Sequence, residues 1–223
     1  MICHPLAGNI IFHYFAPNFY RMSDKTKSIL LILIILLIDQ TSKYLVKTNM
    51  VIGQEIYVLG GWFRIHFLEN NGMAFGMEMG GKTGKTILSL FRITAIGAII
   101  WYLVRLLRTN ANTGLVLCVS AIVAGALGNL IDSAFYGMIF GDSWHTVASL
   151  FPGSGGYSSF LHGKVVDMLY FPVIDTAWPS WSPIHAGEEF IFFRPVFNIA
   201  DSSIFLGVVS ILLFHKKLLE EAK

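Results

Sequence analysis

Apolar and polar positions alternate along this chain on two length scales, and each predicts a different kind of element. On the long scale, four stretches are apolar for close to the roughly 20 residues that a membrane-crossing helix needs. They lie near Ser28–Val46, Thr86–Val104, Gly114–Ile131 and Asn198–Phe214. The first opens with an unbroken apolar run from Ile29 to Ile38. On the short scale, Phe63, Ile65 and Phe67 alternate with Arg64 and His66, the period of a half-buried strand. The stretches VIGQEIYVL and GKVVDMLYF carry the same strand-forming residue types. The expected fold is a mainly α membrane protein: four transmembrane helices and a small β-rich cradle built by the two loops between them.

Composition supports a lipid-embedded chain. Of 223 residues, 54% are hydrophobic and 13% charged, and the mean hydropathy is +0.62. A net charge of +2, with no long basic run, excludes a nucleic-acid partner. Cys3 and Cys118 cannot form a disulfide framework, and the seven scattered histidines make no metal-binding pattern, so neither a metal nor a cofactor is expected. Lys and Arg orient the spans. Segments 1–27, 105–113 and 215–223 hold eight in 45 residues, against six in 105 for segments 47–85 and 132–197. The first set should face the cytoplasm, with both termini, and the two long loops should face outward. Residues 1–21 lack the charge and core of a signal peptide and read as an upstream extension. Met22 is the expected start of a single domain, 22–223, interrupted by an irregular insertion at about 135–160.

Two motifs fail on inspection. GGKTGKT has Met79 where a phosphate-binding loop needs its first Gly, and reads as a flexible loop entering the second span. PGSGG, around Ser154, lacks the strand–turn–helix setting of a nucleophile elbow and reads as a turn.

Polar groups at the ends of the spans carry the chemistry, because such groups are costly in lipid and usually face a protein interior. The topology gathers Asp132, Asp167 and Asp201 with Asn70, Asn129 and Asn198 at one membrane depth. Asn129/Asp132 and Asn198/Asp201 are each spaced i, i+3, so each pair shares a helix face. Plainer readings stand beside this one. Asn198 and Asp201 can be an N-cap and a dipole-favoured acid. Asp132 can be a hydrated residue at a helix end, and Asp167 a solvated strand residue. Asp39 and Lys43, one turn apart, read as a structural ion pair. Capping does not explain an acid at Asp167, between Val165, Val166 and Met168. Two neighbouring carboxylates titrate as a unit and can activate a water between them. Asp201, at a helix N-terminus, would be the ionised member and Asp167 the protonated one.

In order, IDQTSK, ENNGMAFG, AGALGNLID, GKVVDM and FNIADSS resemble the motifs of the lipoprotein signal peptidase (signal peptidase II) family, across residues 22–217. The resemblance implies a bacterial inner-membrane aspartic endopeptidase with its site at the outer face. It would cut signal peptides from prolipoproteins just before the diacylglyceryl-modified cysteine. It implies Asp167 and Asp201 as the catalytic pair, and Asn129, Asp132 and Asn198 as site-supporting residues. Asn70, Gly72, Ala74 and Phe75 would lie beside the substrate, and Asp39 and Lys43 would be structural. It also implies a monomer in contact with membrane lipid, inhibited by globomycin-type compounds. Two departures stand out. Ser133 occupies a place where the family usually has Arg, which leaves Arg194 and Lys164 as candidates to stand in. The stretch between Asp132 and Asp167 is also much longer than is usual. A transporter would need its acids near the midplane, and a non-enzymatic scaffold would use them as interhelical glue. Asn replacements at Asp167 or Asp201 separate these readings.

Overall fold

The computed structural model describes residues 22–71, 81–192 and 194–220. Helix α1 (Asp24–Asn49) opens at Ser23, whose hydroxyl accepts from the Thr26 N–H at 3.2 Å. Strands β1 (Glu55–Leu59) and β2 (Phe63–Asn70) follow, and then helices α2 (Gly81–Arg108) and α3 (Thr113–Ile131). A π-helical turn, Asp132–Tyr136, and a short α4 (Gly137–Ile139) extend α3. Strands β3 (Val165–Tyr170), β4 (Ile174–Ala177), β5 (Glu189–Phe192) and β6 (Val196–Phe197) lead into α5 (Ile199–Glu220).

The helices are inverted relative to those of a water-soluble protein. On α1 the buried positions include Ser28, Asp39, Lys43 and Lys47, while Leu33 and Leu37 are 56% and 69% exposed. Positions 39, 43 and 47 are one turn apart, so they form a polar stripe facing inward. Exposed Phe91, Trp101, Leu212 and Leu213 continue the apolar exterior. This is the arrangement expected when the surrounding solvent is hydrocarbon. Three helices, Asp24–Asn49, Thr83–Arg108 and Thr113–Ile139, are long and apolar enough to cross a membrane. The fourth expected span is a shorter apolar helix, Ile199–Phe214, followed by a break in helical geometry at Phe214.

Small residues let the helices approach closely. A Cβ on Gly125 of α3 would lie 2.2 Å from the Ala200 carbonyl oxygen of α5, and one on Gly128 would lie 2.6 Å from Asp39 Oδ2 of α1. These contacts bring the starts of α5, α1's polar stripe and the end of α3 together.

The strands form an antiparallel sheet in the order β1-β2-β3-β6, placed where α1 and α3 end and α5 begins. Register pairs Leu68 with Asp167 and Asn70 with Val165. Strands β4 and β5 make a separate two-stranded hairpin, so the TAWPSWSP stretch is its arm and turn, with Trp181 81% exposed.

Two readings need correction. The lysine-rich stretch from Gly81 is the first turn of α2 rather than a loop, because the helix extends beyond its apolar part. Asp132 does not sit at a hydrated helix end: helical structure continues to Ile139 and Asp132 is fully buried. The insertion is largely irregular from Gly141 on, and it packs against the rest of the chain. It returns onto the π-turn, where Gly163 and Leu161 donate N–H bonds to the carbonyls of Ser133 (2.9 Å) and Ala134 (3.2 Å). Its Phe140 and Ala148 share a core with Val46, Phe67, Val166 and Met168. PGSGG does form a turn, closed by Gly155 N–H to Pro152 O at 2.9 Å.

Candidate functional site

The site is assembled where the polar stripe of α1 meets the end of α3, the middle of β3 and the start of α5. Its base is an ion cluster. Lys43 Nζ lies 2.9 Å from Asp39 Oδ2, 2.8 Å from Asp132 Oδ2 and 3.0 Å from Asn129 Oδ1. Lys43, Asp39 and Asp132 are all fully buried. Each acid also satisfies a backbone group of another element. Asp39 Oδ1 accepts the Ala200 N–H at 2.9 Å, holding the first turn of α5. Asp132 Oδ2 accepts the Val166 N–H at 3.3 Å, holding β3. Gln40 Nε2 donates to Asp132 Oδ1 at 2.9 Å and to the Gly128 carbonyl at 3.2 Å.

On this base the three asparagines connect two carboxylates. Asn198 Nδ2 donates to Asp167 Oδ1 at 2.7 Å and to Asn129 Oδ1 at 3.2 Å. Asn129 Nδ2 donates to Asp201 Oδ1 at 2.7 Å. Asn70, at the end of β2, donates to Asp167 Oδ2 at 3.3 Å. Asp167 and Asp201 are therefore linked through two amide side chains, although 34 positions separate them in sequence.

Capping and the polar network use the same atoms. Asn198 Oδ1 accepts the Asp201 N–H at 2.9 Å, and Asp201 Oδ2 accepts the Asn198 N–H at 3.4 Å, a reciprocal capping box. That box orients Asp201 Oδ1 toward Asn129 and leaves the Asn198 amide nitrogen for Asp167. The helix cap thus fixes the rotamers of the site.

Asp167 is 4% exposed. Burial, followed by the neighbouring Asp201 charge, pushes its carboxyl up to about 7, against the opposing hydrogen bonds from Asn70 and Asn198. An apolar cavity of about 560 Å³ opens beside Asp201, lined also by Leu169, Phe171, Phe197, Ser202, Phe205 and Leu206.

Asp39, Lys43, Asn129, Asp132, Asp167, Asn198 and Asp201 are thus brought together, with Asn70 at the edge. Gly72, Ala74 and Phe75 lie outside the described residues. Neither expected stand-in cation faces the pair: Lys164 Nζ bonds Glu69 at 3.0 Å, and Arg194 is exposed. The guanidinium that does face it is Arg92 of α2, whose Nη1 donates to Ser133 Oγ at 3.2 Å. Its charge acts on Asp201, Asp132 and Asp167. The signal for it was an arginine within the apolar run ILSLFRITAIGAII.

Comparison with known proteins shows the family. A family model described as signal peptidase (SPase) II matches residues 31–216. A lipoprotein signal peptidase of Porphyromonas gingivalis is 50% identical over 188 residues, 84% of this chain and 81% of that protein. One from Amoebophilus asiaticus is 38% identical over 184 residues, 81% of this chain and 74% of that protein. A bacterial membrane enzyme solved by the in meso method at 1.9 Å resolution is 26% identical. It superposes with a TM-score of 0.55 over 86% of this chain and 94% of that one.

Proposed function

Because this chain belongs to the signal peptidase II family, we propose that it is an aspartic endopeptidase of the bacterial inner membrane. Its substrates are diacylglyceryl-modified prolipoproteins, and the bond it cuts precedes the lipidated cysteine. The observation that carries this reading is the link from Asp167 through Asn198 and Asn129 to Asp201.

In this reading a water lies between the two carboxyls. Asp201 is ionised and takes a proton from the water as its oxygen attacks the scissile carbonyl carbon. Asp167 is protonated and donates to the carbonyl oxygen, which becomes a hydroxyl in the tetrahedral intermediate. Collapse re-forms the carbonyl and breaks the C–N bond. The proton taken from the water goes to the departing amine, and the hydroxyl proton returns to Asp167. Burial of Asp167 pushes its carboxyl up to about 7, so it holds its proton on the acid side of neutral pH. Asn129, Asn198 and Asn70 hold the two carboxyls in position, and Asp132 with Asp39 and Lys43 holds the elements that carry them. The apolar cavity beside Asp201 suits an apolar segment of substrate.

The topology that goes with this function has four spans, both termini in the cytoplasm and the site at the outer membrane face. Residues 22–223 form one peptidase domain that works as a monomer and takes globomycin-type inhibitors at the same site. Incubating the purified protein with a diacylated prolipoprotein tests the reading. Release of the intact signal peptide, dependent on the lipid modification, is the expected result. Recovery of uncleaved substrate would overturn it.

A further inference from the structure

Arg92 is a charged residue of the site that the family motifs quoted above do not contain. It stands in the outer half of α2, a region that also reaches the end of the insertion and the end of β2: Ser89 Oγ donates to the Leu161 carbonyl at 3.1 Å, Thr86 Oγ1 meets His162 Nε2 at 3.2 Å, and Lys85 Nζ donates to Asn71 Oδ1 at 3.2 Å. From Arg92 a chain of hydrogen bonds runs to the dyad. Arg92 Nη1 donates to Ser133 Oγ (3.2 Å), Ser133 Oγ donates to the Asn129 carbonyl (3.0 Å), and Asn129 Nδ2 donates to Asp201 Oδ1 (2.7 Å).

The charges around it define its task. Lys43 lies between Asp39 and Asp132 at 2.9 and 2.8 Å, so its single positive charge is shared by two acids. A dyad carrying one proton adds a further negative charge. The titratable and charged groups that face the guanidinium are Asp201 of α5, Asp132 of the π-turn and Asp167 of β3, with Lys43 behind Asp132. On its own helix the nearest charge toward the start is Lys85, about two turns away and bonded to Asn71 Oδ1 at 3.2 Å, and His162 rests against Thr86 beside it. An opposite charge at such a place favours the ionised carboxylate.

We propose that Arg92 is a positioning residue for the dyad: docked on the Ser133 hydroxyl, its guanidinium holds the single negative charge on the Asp201 side, so that Asp167 keeps the proton. In this chain the cation therefore arrives from α2, while the position after Asp132 supplies only its hydroxyl dock. The inference rests on the peptidase reading.

The test is the pH dependence of kcat/KM on a diacylated peptide, measured for the wild type and for Arg92→Gln, Arg92→Lys and Ser133→Ala, each checked for folding by thermal unfolding in detergent. Arg92→Gln should move the acidic limb up by roughly one pH unit, lowering kcat about tenfold at pH values below the wild-type limb and little on the plateau, with KM within a factor of about two. Arg92→Lys should keep the limb near its wild-type place. Ser133→Ala, which keeps every charge but removes the dock, should move the limb in the same direction by less. An acidic limb unmoved in Arg92→Gln overturns the proposal, as does an Arg92→Lys variant displaced as far as Arg92→Gln. If Arg92→Gln does not fold, an unmoved limb in Ser133→Ala overturns it. These outcomes are separate from failure of the peptidase reading, which would appear as a wild-type protein that does not cleave.

Discussion

In the proposed mechanism the chemistry turns on Asp167, whose side chain is at once buried, hydrogen-bonded and next to another acid. Burial dominates and raises its ionisation to about 7, well above the usual carboxylate range. Two consequences follow at this scale. The general-acid role is lost as pH rises through that value, so kcat/KM should fall about tenfold per pH unit on the alkaline side, with a limb near 7. Stability should follow the same group. Its folded value lies above its unfolded value, so the penalty for a buried charge is absent below about pH 4 and complete above about 7. Thermal unfolding should therefore show wild type losing stability relative to Asp167→Asn across that window. A constant difference between the two would contradict the assignment. Sequence alone pointed to Asp167 through its apolar neighbours, and to Asp201 through its helix start. It gave no indication that Asn198 would serve as cap and bridge together, since this depends on β3 being packed against the first turn of α5.

At the scale of elements, the small-residue run AGALGN was a readable sign of close helix packing, and Gly125 and Gly128 occupy such contacts. The insertion was not readable. Its role depends on Lys47, which looked like an ordinary charge at the end of a span but is fully buried. Lys47 Nζ pairs with Glu69, donates to Ser143 Oγ at 2.8 Å and lies 4.8 Å from the Tyr157 ring centroid. Two of those partners come from the insertion, about 100 positions away, a separation that no local pattern reports. Glu69 immediately precedes Asn70, which donates to Asp167. Lys47→Ala breaks a buried pair, and should cost roughly 3 kcal/mol, at the low end for such losses because Lys164 still reaches Glu69. Detergent unfolding measures the stability, and cleavage should weaken in parallel as Asn70 loses its support. Wild-type stability in this variant would show that the insertion is not held by this contact. The start of α2 was misjudged for a related reason. Two glycines disfavour a helix locally and two lysines sit unfavourably at its positive end, yet the stretch continues a long apolar helix that stabilises it.

For the whole molecule, the buried polar stripe and exposed apolar flanks make lipid the expected surroundings, and this inversion could be read from composition and span length. The Lys and Arg distribution predicts an orientation with the two long loops outside. In a variant lacking the native cysteines, a cysteine replacing exposed Trp181 should react with an impermeant thiol reagent on intact spheroplasts. One replacing exposed Thr109, between α2 and α3, should react only after permeabilisation. The opposite pattern would reverse the topology.

The measurement that bears most directly on the central claim is cleavage of a diacylated prolipoprotein by Asp167→Asn, Asp201→Asn and the double variant. If the two carboxyls act as one unit on one water, each single replacement should remove at least about a thousandfold of the rate, and the double should be no worse than either single. Losses that multiply in the double variant, or a single variant that still cleaves at near wild-type rate, would contradict a shared catalytic dyad.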